Sequence, residues 1–224
     1  MDLEVESDDF VGWTGRPIKC EINVLSKPEG SCIFSQGGTV VMAALYGPHE
    51  IKHGKIQTEE TPAFQMSYRS KKGPPSNESR SLEELIKTAC ESVVFTRTFA
   101  RHELTLVVQE MQNCGGILSC AINAGCLAMI NSGVDMQHLV LAVTACLTND
   151  NRIVVDPDES QLKSAKMSME VAFDSELFNV IMVNSQGTSS VEEYQNTIGK
   201  CRESARILKE YFKSVVKKYA EALL

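Results

Sequence analysis

Two glycines, Gly115-Gly116, stand directly before an apolar run from Ile117 to Asn131 that carries no charged residue. A helix that starts after glycines presents free backbone N–H groups and the positive end of its dipole, a combination that holds phosphate and other anions. The same pair can instead serve only to allow a tight turn into the helix. Further along, Asp156-Pro157-Asp158-Glu159 gathers carboxylates in one short stretch. Carboxylates so grouped can ligate a divalent cation or move a proton. An Asp before Pro can equally start a turn after a strand. Arg69, Lys71, Lys72 and Arg80 crowd a polar stretch containing glycine and proline. Such a cluster is either a contact for phosphates or a solvated loop. His49 and His53 have a spacing that could bind metal on a helix, but Gly47, Pro48 and Gly54 bracket them, so they read as loop histidines. The eight cysteines include no CxxC pair, and Cys114, Cys120 and Cys126 recur every six residues, which suits no zinc motif. Buried reduced thiols are expected, with no metal and no cofactor.

These groups need a frame, and the hydrophobic pattern supplies one. Ile18, Cys20, Ile22 and Val24 alternate with polar residues and predict a strand over 18–25. The turn Lys27-Pro28-Glu29-Gly30 leads to a strand over 31–35, and Gln36-Gly37-Gly38 turns into a third over 39–46. Gly47-Pro48 is expected to end it, leaving 49–62 as an exposed loop. Phe64, Met66 and Tyr68 alternate as a fourth strand. Ser81 and Glu84 have capping-box spacing before a helix whose face carries Leu82, Leu85, Ile86, Ala89, Cys90, Val93 and Val94. Leu104, Leu106 and Val108 mark a strand ahead of the glycine pair. The run over 117–131 reads as a helix buried on most sides, stopped at Gly133. Residues 139–147 read as a central strand, pairing with 152–155 across Asn149-Asp150-Asn151, and 167–173 and 178–184 as two more. Ser190 and Glu193 form another capping-box pair. The stripe Tyr194, Ile198, Cys201, Ala205, Leu208, Phe212, Val215 and Tyr219 then predicts a long helix lying across the chain's own sheet, there being no second heptad helix to pair with. Hairpins dominate and no repeat or low-complexity linker interrupts them, so the fold class is α+β, not doubly wound.

The 224 residues suit a single domain over 15–224 behind a frayed acidic start at 1–14. The net charge of −7 argues against a free-standing nucleic-acid binder, though not against a local basic stripe inside an assembly. The start MDLEVESDDF lacks a basic-then-apolar signal pattern, and no apolar run approaches the length of a membrane span. A soluble cytosolic or nuclear protein is expected.

Three segments resemble the RNase PH superfamily in order and spacing over nearly the whole chain. They are Pro28-Glu29-Gly30-Ser31 through Phe34, Gln36-Gly37 and Thr39 to Tyr46-Gly47-Pro48; Gly115-Gly116 through Ala124, Cys126 and Ala128 to Gly133; and Val154-Val155-Asp156-Pro157. Within the superfamily, the CAINA stretch over 120–124 is similar to RNase PH-like subunits of the eukaryotic RNA exosome. The resemblance implies a two-layer RNase PH fold of the ribosomal-protein-S5-domain-2-like type, with mixed and antiparallel sheets packed on helices and a long C-terminal helix. It also implies a six-membered ring of such subunits, S1/KH cap subunits above it, and single-stranded RNA threaded through its pore.

Active members of the superfamily follow the glycine pair with Thr-Arg, which hold the phosphate that attacks the 3′ phosphodiester. Ile117 and Leu118 stand there instead, and Ser119 brings a hydroxyl two residues late. Active members also place two aspartates six apart for metal and proton transfer; Asp156 matches the first, and the second is Leu162. The resemblance therefore implies a degenerate site at Gly115, Gly116, Ile117, Leu118, Ser119, Asp156 and Leu162, inactive in phosphorolysis. It also implies that Arg69, Lys71, Lys72 and Arg80 are RNA-binding, while the residues themselves leave a solvated loop open. The expected function is a non-catalytic ring subunit supporting 3′-to-5′ RNA processing and degradation, ribosomal RNA included, in nucleus, nucleolus and cytoplasm. The competing reading is a residual metal-dependent hydrolytic nuclease on RNA or DNA, a homodimer using Asp156, Asp158 or Glu159. A scaffold with no nucleic-acid contact is a third.

Overall fold

Among the described residues, alternating apolar residues with β-branched and aromatic side chains build ten strands, and four helices cover them. The computed structural model describes residues 5–6, 12–50, 63–71, 73, 76–95 and 102–223. A six-stranded sheet contains β1 (Val5–Glu6), β2 (Ile18–Ile22), β3 (Gly30–Gln36), β4 (Thr39–Glu50), β5 (Ala63–Arg69) and β6 (His102–Gln112), in the order β1-β2-β3-β4-β6-β5. A four-stranded sheet contains β7 (Val140–Leu147), β8 (Ile153–Val155), β9 (Met167–Asp174) and β10 (Val180–Gly187), in the order β10-β9-β7-β8. All pairs are antiparallel except β5 with β6. The fold is the expected α+β class, with one mixed and one antiparallel sheet.

The helix α2 (Ile117–Ser132) packs against β3 and β4 of the large sheet and against β7 of the small one. That position explains its composition: a helix touching sheets on opposite sides has no solvent face to make polar. Its one buried amide, Asn123, donates from Nδ2 to the Ala142 carbonyl and accepts from the Ala142 N–H at Oδ1, each at 2.9 Å. β8 pairs with β7 only from Ala145 to Leu147, so this amide finishes the stretch of β7 edge that no strand covers. α4 (Val191–Leu223) lies across β7, β8 and β9 as the apolar stripe predicts, and its Phe212 meets Phe34 of β3 edge to face at 6.2 Å. One hydrophobic cluster runs through both sheets and all of these helices.

Several elements differ from their sequence-based expectations. The strand expected to end at Gly47-Pro48 continues to Glu50; a cis Gly47–Pro48 bond sits where the register with β6 shifts, and His49 pairs with Glu103 beyond it. A bulge thus absorbs the proline that a regular ladder would reject. His53 and the remainder of the 51–62 stretch lie outside the described residues. α1 (Asn77–Glu91) starts before Ser81, because Ser76 is the cap and accepts from the Ser79 N–H at 3.1 Å. α3 (Glu159–Ser164) is a short helix where none was expected. Within the acidic start, Val5–Glu6 pair with Lys19 and Cys20; residues 1–4 and 7–11 lie outside the described residues. Among the described residues no helix is long and apolar enough to cross a membrane.

Candidate functional site

The glycine pair and α3 form the walls of a cleft of about 380 Å³ whose floor is the face of the four-stranded sheet that carries Thr144, Ser168, Glu170, Asn184 and Gln186. The antiparallel register sets Thr144 of β7 beside Glu170 of β9, and Glu170 beside Asn184 of β10. The next row on that face is Ser168 with Gln186. Asn113, Gly115, Gly116, Ile117, Glu159, Leu162 and Lys163 line the sides. Of the residues marked by sequence, Gly115, Gly116, Ile117, Glu159 and Leu162 therefore meet in one place.

Leu118 does not join them. Its side chain is fully buried in the core, turned away from the cleft. Ser119 is also buried; its hydroxyl donates to the Gly116 carbonyl at 3.0 Å and lies 2.6 Å from the Thr144 hydroxyl. The glycines have structural reasons of their own. Gly115 (φ 106°) packs so closely on the start of α3 that a Cβ would stand 2.9 Å from the Glu159 nitrogen. Gly116, at φ 67°, is the left-handed N-cap residue of α2.

Asp156 lies just outside this lining, buried, and held by a residue that sequence reading missed. The Arg16 guanidinium grips it with Nη2 to Oδ1 at 2.6 Å and Nε to Oδ2 at 3.0 Å, while the Arg16 backbone N–H donates to Oδ2 at 2.9 Å. Arg16 also donates to the carbonyls of Cys114 at 3.2 Å and Gly115 at 3.1 Å, tying the glycine loop to the same ion pair. No local pattern points from Arg16 to a partner 140 positions away. The only hint in the sequence is a charged residue just before the first strand.

The other carboxylates are also engaged. Asp158 caps α3, accepting from the Gln161 N–H at 2.8 Å and the Ser160 hydroxyl at 2.6 Å; these bonds hold its pKa below the usual carboxylate range. Glu159 pairs with Lys163 one turn on, at 2.6 Å. Leu162 is half-buried in the cleft wall. Glu170 carries no sequence signal beyond one acidic residue in an alternating strand. It accepts from Asn184 Nδ2 at 3.0 Å. Burial pushes its pKa up, against the lowering pull of that bond and of the nearby backbone N–H of Leu118 in the first turn of α2. Among the described residues no cluster of three or more metal-ligating side chains occurs. Arg69 ends β5, an edge strand; it, Lys71 and Arg80 are exposed and none lines the cleft, and Lys72 lies outside the described residues.

Comparison with known proteins places this geometry in context. Domain 1 of the 3′ exoribonuclease family, RNase PH, matches residues 14–135, and domain 2 matches residues 138–199. The chain is 30% identical over 168 residues to the exosome complex exonuclease RRP46 homolog of Arabidopsis thaliana, covering 74% of this chain and 69% of that one. It is 24% identical over 218 residues to the exosome complex component Rrp41 of Archaeoglobus fulgidus, covering 92% and 84%. Its fold matches the crystal structure of rice (Oryza sativa) Rrp46 with a TM-score of 0.87, at 23% identity over 92% of this chain and 96% of that one.

Proposed function

This chain belongs to the RNase PH family of 3′ exoribonucleases, and from that premise we propose that it is a non-catalytic ring subunit of the RNA exosome. It works with other RNase PH-like ring subunits and with RNA, and supports 3′-to-5′ processing and degradation. The observation that carries the non-catalytic reading is the Arg16–Asp156 ion pair. Phosphorolysis in this family needs a carboxylate pair; one member is Leu162, and both oxygens of the other are taken by one guanidinium. A carboxylate so held has most of its acceptor sites filled by Arg16, is buried, and lies outside the cleft lining where a metal or leaving group would sit. Loss of a single preorganised donor costs an enzyme about 3–4 kcal/mol of transition-state stabilisation, and here the phosphate clamp and the acid pair are both affected.

The hydrolytic alternative draws on Asp158 and Glu159, and these are engaged in capping α3 and in the ion pair with Lys163. The proposal also takes Arg69, Lys71, Lys72 and Arg80 as contacts for RNA phosphates along the pore. S1/KH cap subunits complete the assembly, which acts in nucleus, nucleolus and cytoplasm. Among the described residues both sheets end in strands that no further strand covers, β5 and β10, and exposed Leu177 and Val180 lie at the start of the second; such edges favour a neighbour over an isolated monomer, with a homodimer as one such pairing when the chain is isolated.

The test is incubation of the purified chain with labelled RNA and inorganic phosphate. No nucleoside diphosphate should appear, whereas mixing with the other ring subunits should yield one stable complex. Phosphate-dependent release of nucleoside diphosphate, abolished by Asp156→Ala in a folded variant, would overturn the reading.

A further inference from the structure

The non-catalytic reading rests on side chains that are missing; a side chain that is present deepens it. The start of α2 has no polar side-chain cap: Gly116 is the N-cap residue, and Ile117 and Leu118 follow. In a phosphate-binding cleft those first-turn N–H groups would face the ligand. Here the Glu170 carboxylate lines the same cleft as Gly115, Gly116 and Ile117, near enough to the Leu118 N–H for that group to pull its pKa down. Three strands fix that carboxylate in place. Thr144 and Asn184 flank Glu170 in register on β7 and β10, and Asn184 donates to its Oε2 at 3.0 Å. Among the described residues no cation pairs with Glu170; Lys163, the cation lining the same cleft, is paired with Glu159 at 2.6 Å.

We infer that Glu170 is a resident anion standing where phosphate would stand, and that it sets the ligand class of the cleft by excluding free anions. The helix dipole and an oriented N–H receive their negative charge from within the chain. A dianionic phosphate entering the cleft would have to displace Glu170 from Asn184 and then lie beside an uncompensated carboxylate. The remainder of the floor, Thr144, Ser168, Asn184 and Gln186, is polar and uncharged and supplies nothing to offset that repulsion. The inference rests on the family reading only for the identity of the cleft; the place of Glu170 in it follows from the cleft lining, the sheet register and the bond from Asn184.

The experiment is inorganic phosphate binding to the full-length chain, followed by ³¹P line broadening and by phosphate-dependent thermal stabilisation against chloride at matched ionic strength. Wild type should show neither effect. Glu170→Ala, which vacates the position, should bind phosphate about tenfold or more tightly than wild type. Glu170→Gln keeps the shape without the charge and should gain a smaller but measurable affinity. If Glu170→Ala does not fold by near-ultraviolet circular dichroism, Glu170→Gln decides the matter. Equal phosphate binding by wild type and a folded variant overturns the inference, as does a folded variant that gains none. Neither variant should release nucleoside diphosphate from RNA, because Leu162 and the Arg16-bound Asp156 are unchanged. Release by wild type would instead overturn the non-catalytic reading while leaving the comparison of phosphate affinities intact.

Discussion

A buried carboxylate is tolerated only where a partner offsets its desolvation, and Arg16 does so for Asp156 with two side-chain bonds and one from its backbone. Removing either member strands the other. Asp156→Ala and Arg16→Ala should each cost about 3–5 kcal/mol in urea unfolding. The double variant should cost well under the sum, because the second deletion removes a charge already left alone. Additive losses would mean that the pair is not the unit it looks like. The same logic bears on Leu118. Restoring the family's arginine there places a guanidinium in a fully buried position among apolar neighbours, not in the cleft. Leu118→Arg is therefore expected to destabilise by more than about 4 kcal/mol and to bring no phosphorolysis. A stable, correctly folded Leu118→Arg would show that this turn can rotate its side chain into the cleft. The resemblance implies that Leu118 stands where active relatives carry an arginine, but not that the position is part of the core.

At the scale of elements, α2 is held between two sheets by Asn123 as well as by its apolar surface. Asn123→Ala would leave the Ala142 N–H and carbonyl unpaired in the interior, at a cost of about 2 kcal/mol or more, with faster amide exchange at Ala142. Asp174 plays a similar part in the β9–β10 connection. Burial alone would push its pKa up, but backbone N–H groups of Leu177, Phe178, Asn179 and Glu176 donate to it and leave its pKa lowered. A carboxylate lowered in the folded state contributes stability above its ordinary pKa and loses that contribution as pH falls through the folded value. Asp174→Asn should thus reduce stability at neutral pH and flatten the acid limb of a stability-versus-pH curve; an unchanged limb would count against the carboxylate's role. Regular patterns made much of this frame legible. The central position of β7, the burial of α2 and the Ser190–Glu193 capping box follow from periodicity and short-range capping chemistry. What escaped detection lacks a period. α3 is shorter than two turns, Ser76 caps α1 ahead of the residues that looked like its box, and a bulge carries β4 past Pro48. The site was half legible for the same reason. Gly115, Gly116, Ile117 and Leu162 share the cleft, while Arg16 and Glu170 reach it only through tertiary contacts that no spacing encodes.

For the whole molecule the charge balance matters most. A chain of net charge −7 repels RNA at long range, so a few cations between the end of β5 and the first turn of α1 cannot make it a binder by itself. On the reading proposed here, the same cations face a confined pore in the closed ring together with those of the neighbours, where low-dielectric walls would concentrate their field. The reading proposed for Arg69, Lys71, Lys72 and Arg80 therefore predicts a difference between two states of the protein. The purified chain should hold single-stranded RNA weakly and lose it at modest salt. The assembled ring should bind more tightly, with an affinity that falls linearly with salt on logarithmic axes. Replacing all four residues with glutamine in the ring should lower that slope by about 0.7 for each RNA phosphate that is no longer neutralised, and should weaken unrelated RNA sequences alike. The measurement is a salt titration of RNA affinity for wild-type and substituted rings of matched composition. An unchanged slope would mean that these four residues never touch the RNA, and the subunit would then act through its edges alone, as a scaffold that closes the ring.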